Sequence, residues 1–184
     1  MSSPVTVSSH TAASSHTAAS IPYANVNTFI VKDLKYKDYQ YADLKEYNFT
    51  GSILSNAKLY HADLTNAVLI GTDFTHALMS NAVLKFAKLK GASLTGAVML
   101  GVDLTGADLT DVYSRAANLC NANFTKANLT RADFTFANLT DANLSYAILN
   151  GADLSRANIT RVNFTGADLT GCILPKDFSK QIQN

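Results

Sequence analysis

The side chains that could carry chemistry are few and scattered. Ser114, in the stretch LTDVYSRAANL (residues 109–119), is the most conspicuous candidate nucleophile. A serine hydroxyl attacks only when a base lies within hydrogen-bond reach and a third group orients that base. The histidines that could serve are His10, His16, His61 and His76. The first two sit in SSHTAASSHTAAS, a tandem duplicate without fixed neighbours, which is a poor setting for a metal site. Cys120 and Cys172 are too few for a disulfide scaffold and read as free thiols. No glycine-rich phosphate loop occurs. Whether any of these groups converge depends on the elements that hold them.

Those elements follow a rule of five. Every fifth residue from Leu44 to Leu174 gives 27 positions, of which 18 are Leu and 5 are Phe; the others are Met79, Met99, Ile159 and Ser114. Two residues before each, from Ala42 to Cys172, 20 of the 27 are Ala. No insertion or deletion breaks the phase. Neither a helix of period 3.6 nor a strand of period 2 explains it. In Ala-x-Leu the alternation of an extended segment points two side chains inward, and the remaining residues turn a corner. If each pentad turns the chain by about a right angle, four close one coil, and stacked coils pair at about 4.8 Å. Leu and Phe then fill the bore. Thr, Ser and Asn follow the central residue and suit turns, where short polar side chains bond nearby backbone groups.

The stretches TGADLTGADLT, TKANLTRADFTFANLTDANLS and NGADLSRANITRVNFTGADLTG resemble the pentapeptide repeat family, whose consensus is A(D/N)LXX. The match runs over residues 42–174, and the weaker pentads KDLKY and KDYQY before it keep the phase. The resemblance implies an all-β solenoid, a right-handed quadrilateral β-helix. About seven coils would make a rod about 34 Å long at the sheet spacing. Such repeats are frequent in bacteria, cyanobacteria above all, and some members pair through their C-terminal ends.

The register scatters the candidate chemistry. His61 and His76 fall on different sides about one coil apart, and no further His, Cys or carboxylate completes a shell around either. Cys172 points inward and Cys120 outward, more than two coils apart. Ser114 is addressed to the bore between Leu94 and Phe134, beside Val112 in an Ala place. The alternative is a local twist that brings Tyr113 inward and moves Ser114 to the corner. With a filled bore and no long insertion loop, no pocket, catalytic residue, metal ligand or cofactor is expected.

Function must then be written on the outward positions. Residues 77–101, ALMSNAVLKFAKLKGASLTGAVMLG, depart from the polar pattern. Val68, Ile70, Leu78, Val83, Phe86, Val98 and Leu100 are sent outward and form the candidate partner surface, with three nearby lysines as a polar rim. The plain reading of such residues is sideways packing along the sheet. Phe136 and Tyr146 are single exposed aromatics.

The resemblance also raises DNA mimicry, since some bacterial members protect or inhibit DNA gyrase by copying the shape and charge of duplex DNA. That needs a dense negative surface. Residues 42–174 carry 11 acidic and 10 basic side chains, and no column twenty residues apart is acidic throughout. Ice binding is disfavoured too, because Lys45 and Lys85 interrupt the flattest Thr column. The expectation is a scaffold for a protein partner, without nucleic acid, with the gyrase-directed mimic as its alternative.

At 184 residues with net charge +1 and no run of 18 apolar residues, the chain reads as one domain with no membrane span. Residues 1–21 read as a disordered low-complexity tail and 22–41 as an N-terminal cap with the first weak repeats. Residues 175–184, PKDFSKQIQN, read as a short helical cap that could alternatively serve a C-terminal-end homodimer of an otherwise monomeric chain. The N-terminus lacks a signal-peptide pattern, which points to the cytoplasm, or to periplasm or thylakoid lumen after processing.

Overall fold

In the computed structural model the described residues are 31–178, and across them the pentad is the unit of structure. Every fifth residue from Tyr36 to Gly171 has a positive φ: nineteen are not glycine and nine are. Those nine are all the glycines of the chain. The preceding core residue accepts from the residue after each corner, as Leu104 C=O does from Ala107 N–H at 3.0 Å. A positive φ confined to the third residue of such a turn is the signature of type II.

Parallel single-residue bridges join residues twenty apart, from Asp33↔Ile53 to Asp153↔Ile173. Four pentads therefore close one coil of a four-sided β-solenoid. Ala and the central Leu or Phe of each pentad face the bore: Leu64, Phe74, Met79, Leu104 and Phe124 have no exposed surface, and the Ala places are equally buried except near the ends of the rod. Residues 31–41 continue the pattern, with Asp38 bridged to Lys58 and Tyr39 in the bore. At the other end Phe178 packs on the core and meets Phe164 edge to face at 6.0 Å. The expected tail, His10 and His16 included, and residues 22–30 of the expected N-terminal cap lie outside the described residues, as does Ile182 of the C-terminal cap.

A buried backbone must satisfy all its N–H groups, and the pentad Asp103–Ala107 shows how. Leu104 donates to Asn123 C=O (2.7 Å) and Gly106 to Thr125 C=O (2.9 Å) in the next coil, Asp103 to Ala82 C=O (3.0 Å) in the previous one, and Ala107 closes the turn. The fifth donor, Thr105 N–H, is taken by Asp103 Oδ1 at 3.0 Å, and Thr105 Oγ1 donates to the same oxygen at 2.6 Å. Asp or Asn before the core residue thus caps the one amide the solenoid leaves over. The threonine hydroxyl bonds this side chain rather than backbone, unlike the sequence expectation. Every Asp and Asn at that place from Asp33 to Asp168 makes the bond to the amide two residues on.

A left-handed corner costs a non-glycine residue about 1–2 kcal/mol, and side chains there recover some of it by reaching to the corner of a neighbouring coil. Arg131 clasps Asp111 through Nε and Nη2 (2.6 and 2.8 Å), and Arg161 holds Asp141 in the same way. Tyr41 stacks on His61 with centroids 5.1 Å apart, and Arg156 lies over the Phe136 ring. Phe86 lies where a Cβ on Gly106 would come within 2.7 Å of its ring, whereas a Cβ on Gly71 would meet nothing within 4 Å. Gly71→Asn is therefore expected to stay within about 0.5 kcal/mol of wild type in denaturant unfolding, Asn being tolerant of this φ. Gly106→Asn should cost about 1 kcal/mol more, because Phe86 must leave its seat.

Candidate functional site

The solenoid keeps the candidate catalytic groups apart. Ser114 does face the bore and is fully buried, while Tyr113 is 55 % exposed, which decides the question of which one turns inward. Ser114 Oγ has no hydrogen-bond partner; Thr50 Oγ1 is the other such buried side-chain atom among the described residues. A serine with no base and no path to solvent is no nucleophile. His61 is occupied by its stack on Tyr41, and His76 lies over Gly96. Both cysteines are free. Burial, then the Asp153 charge, pushes the Cys172 thiol up to about 11, so it is inert as a thiolate near neutrality. Among the described residues no three His, Cys, Asp or Glu side chains are grouped to hold a metal, and no helix is long and apolar enough to cross a membrane.

Outside, most of the charge is spoken for. Lys45 reaches both Asp43 and Asp63, Lys85 pairs with Asp103 at 3.1 Å and Arg115 with Asp133 at 3.3 Å; the two arginine clasps add Asp111 and Asp141. More than half of the acidic side chains of residues 42–174 are thus neutralised in place, and no continuous negative face forms among the described residues. Burial alone would raise the carboxyls of Asp63, Asp103 and Asp133. The bonds from Thr65, Thr105 and Thr135 and from the paired cations together outweigh it, and all three are held below the usual range.

The cap is lost in one part of the rod. From 53 to 98 the place before the core residue reads Ile53, Lys58, Asp63, Val68, Asp73, Leu78, Val83, Lys88, Ser93, Val98, with Asp63 and Asp73 the only caps. Beyond 100 only Tyr113, Ile148 and Ile173 interrupt the run of Asp and Asn. Pro175, two residues after Ile173, has no N–H to cap. Along one corner the loss is continuous for three coils: Tyr60, Ser80 and Leu100 follow Lys58, Leu78 and Val98, and none of their amides has an acceptor among the described residues.

This corner gathers part of the predicted surface. Leu78 bridges to Val98 on one side, Leu100 stands at its edge, and Val83 lies just round the corner. Leu78, Val83 and Val98 are half-buried and Leu100 is 39 % exposed. Val68 lies two corners away, on the opposite side, with Ile70 at that side's edge, and Phe86 belongs to the corner between the Val83 and Val68 sides. The seven candidates are therefore more than one patch, and Leu78, Val83, Val98 and Leu100 are the four that meet. Sequence reading missed the three amides, although the missing Asp or Asn is visible in the register once its role is known. The exposed Phe136 and Tyr146 are corner residues leaning on Arg156 and Gly166.

Coils of four pentapeptides with an Ala–Leu bore and Asp or Asn caps define a class of protein. The chain belongs to the pentapeptide repeat family: the family model for pentapeptide repeats matches in 8 copies over residues 42–174. Proteins of this family form right-handed quadrilateral β-helices and are generally not enzymes. Among solved structures it is similar to HetL, a pentapeptide repeat protein involved in heterocyst differentiation regulation from the cyanobacterium Nostoc sp. strain PCC 7120, at 28% identity and TM-score 0.48, covering 79% of this chain and 88% of that one. It is also similar to a trypsin-treated variant of QnrB1, a plasmid-mediated fluoroquinolone resistance protein, at 20% identity and TM-score 0.32, covering 83% and 95%. A third is the pentapeptide repeat protein Rfr23 from the cyanobacterium Cyanothece 51142, at 23% identity and TM-score 0.23, covering 78% and 88%. No curated protein sequence matches significantly.

Proposed function

We propose that this chain is a non-enzymatic, rigid scaffold of about seven coils that binds a protein partner through the corner of Leu78, Val83, Val98 and Leu100. One observation carries the reading. At this corner one pentad in each of three successive coils gives up the side-chain cap used elsewhere, leaving three backbone donors open and putting Lys58, Leu78 and Val98 in place of the capping residues. Stability alone favours Asp or Asn there, so the exchange of caps for apolar surface supports a docking role. A β-solenoid with a filled bore is stiff, and stiffness lowers the entropy lost on binding.

The test restores the repeat. Leu78→Asn supplies an amide oxygen to Ser80 N–H, and Leu100→Thr returns the commonest residue of its place, so the doubly changed chain should unfold at or above the wild-type midpoint. A tagged wild-type chain should recover a partner in a pull-down that the double variant does not recover. Undiminished recovery of every binder by the double variant would show that this corner is not the docking surface.

A further inference from the structure

We infer that the Leu78 side is a homodimer interface on which a second copy docks antiparallel, Leu78 of each copy against Val98 of the other. The inference rests on the reading of this corner as a docking surface and names its occupant. Three observations select a second copy.

The first is pitch. Side chains on this side repeat once per coil, at the sheet spacing of about 4.8 Å. Same-face side chains of an extended strand repeat at about 6.6 Å and helix turns at about 5.4 Å, so either drifts out of step along the rod. Another solenoid of this chain stays in step throughout.

The second is charge. A two-fold axis lying in the interface across the rod reverses its direction and keeps each corner opposite the same corner of the other copy. With the axis midway between Leu78 and Val98, Lys58 faces Asn118, Asp38 faces Asn138 and Arg115 faces Ser55. At the uncapped corner Ser80 faces Leu100, Tyr60 faces Cys120 and Tyr41 faces Asp141. No like charges meet. A parallel pairing would set Lys58 against Lys58 and Asp38 against Asp38, which is repulsive at this range.

The third is register. Placing the axis on Leu78 instead brings Lys35 opposite Arg115 and seats Lys58 on Val98; placing it on Val98 sets Leu78 against Asn118. Only the midway register buries Leu78 and Val98 on each other. The neighbouring Asp43, Asp63, Val83, Asp103 column does not suit self-pairing, because the register that sets Val83 on Val83 brings Asp63 opposite Asp103, and the register that sets Val83 on Asp103 buries a carboxylate against it.

The experiment uses the full chain. Light scattering after size exclusion should give twice the 19.7 kDa chain mass, and Leu78→Asn should weaken the dimer about tenfold or more while leaving the fold intact. For direction, Gln40→Cys and Thr140→Cys chains are mixed in a Cys120→Ser, Cys172→Ala background with a short bis-maleimide. Antiparallel docking cross-links Gln40→Cys to Thr140→Cys between chains and leaves Gln40→Cys alone unlinked. Asn118→Asp keeps its cap and sets a carboxylate opposite Lys58 twice per dimer, so it should tighten the dimer about threefold at low salt, and not in a Lys58→Asn chain. A wild-type monomer at high micromolar concentration overturns the inference, as does a Gln40→Cys homodimer cross-link, or a dimer indifferent to Leu78→Asn. A monomer whose pull-down partner is still lost in the Leu78→Asn, Leu100→Thr chain removes the dimer alone and leaves the docking surface standing.

Discussion

Truncating Phe124 to Ala is expected to cost the fold about 3–5 kcal/mol, and adding Ser114→Leu to the same chain should return part of it. Phe124 is fully buried and lies across the bore from Ser114, ten residues and two corners away. Phe134 follows Ser114 in its own column, and the Phe124 and Phe134 rings meet edge to face with centroids 5.9 Å apart. Ser114 is the one place in the bore series where a small polar side chain replaces Leu, Phe, Met or Ile. We expect the two rings to occupy the volume it leaves. Removing Phe124 deletes the transfer energy of a ring and an aromatic pair worth about 0.5–1.5 kcal/mol, and opens a gap beside a side chain too short to collapse into it.

The sign of Ser114→Leu should then depend on its neighbour. In the wild-type chain the added methyl groups crowd the rings and cost about 1–3 kcal/mol. In the Phe124→Ala chain they fill the gap and stabilise. Denaturant unfolding of the four chains of this cycle should give a coupling energy of about 1–3 kcal/mol. Additivity within about 0.5 kcal/mol would mean that the rings do not compensate the serine. Ser114→Ala, which removes only the unpartnered hydroxyl, should gain about 1 kcal/mol.

Asp103→Ala should cost about 1–2 kcal/mol while Asp103→Asn costs little. The alanine removes the acceptor of Thr105 N–H and Oγ1 and the partner of Lys85 together. Asparagine keeps the acceptor, as Asn123 does for Thr125 at 3.1 Å. The same comparison predicts acid behaviour. The carboxyls of Asp63, Asp103 and Asp133 are held below their unfolded values, so each contributes stability that is complete above the unfolded carboxylate range and is lost as pH falls through the folded pKa. Partial exposure and screening keep each contribution to about 0.5–1 kcal/mol. Unfolding midpoints should hold from pH 7 to about 5 and fall below about 4. The Asp63→Asn, Asp103→Asn, Asp133→Asn chain should lose less on the same descent. An equal loss in both chains would place the acid sensitivity elsewhere.

The bore was legible because a strict period leaves one inward pair per pentad. Leu64, Ala62 and their equivalents needed no further information, and counting narrowed the broken pentad to Ser114 or Tyr113, between which the structure decides. Beyond the places taken by glycine, the corner could not be read that way. A positive φ at Tyr36, Phe86 or Arg131 leaves no trace in residue type, since the corner accepts Tyr, Phe, Arg and Lys as well as Gly. Its contacts depend on which residue stands twenty away, as with Phe86 over Gly106 or Arg131 with Asp111. The place of Asp and Asn was visible, but the particular amide it serves is identified only when the other four donors of the pentad have been assigned. For the same reason Val68, Leu78 and Phe86, grouped in one candidate surface from the sequence, point in three directions.

Both fold and proposed function rest on two kinds of corner amide, those capped by Asp or Asn and those left open, three of which line the docking corner. Hydrogen exchange of individual amides in the full chain separates them. Thr105, Thr125 and Thr130 should be protected, Tyr60, Ser80 and Leu100 should exchange about tenfold faster or more, and Leu78→Asn should slow Ser80 while leaving Tyr60 and Leu100 unchanged. Equal protection at all six corners, or a Ser80 amide indifferent to Leu78→Asn, would contradict the division on which the docking surface depends.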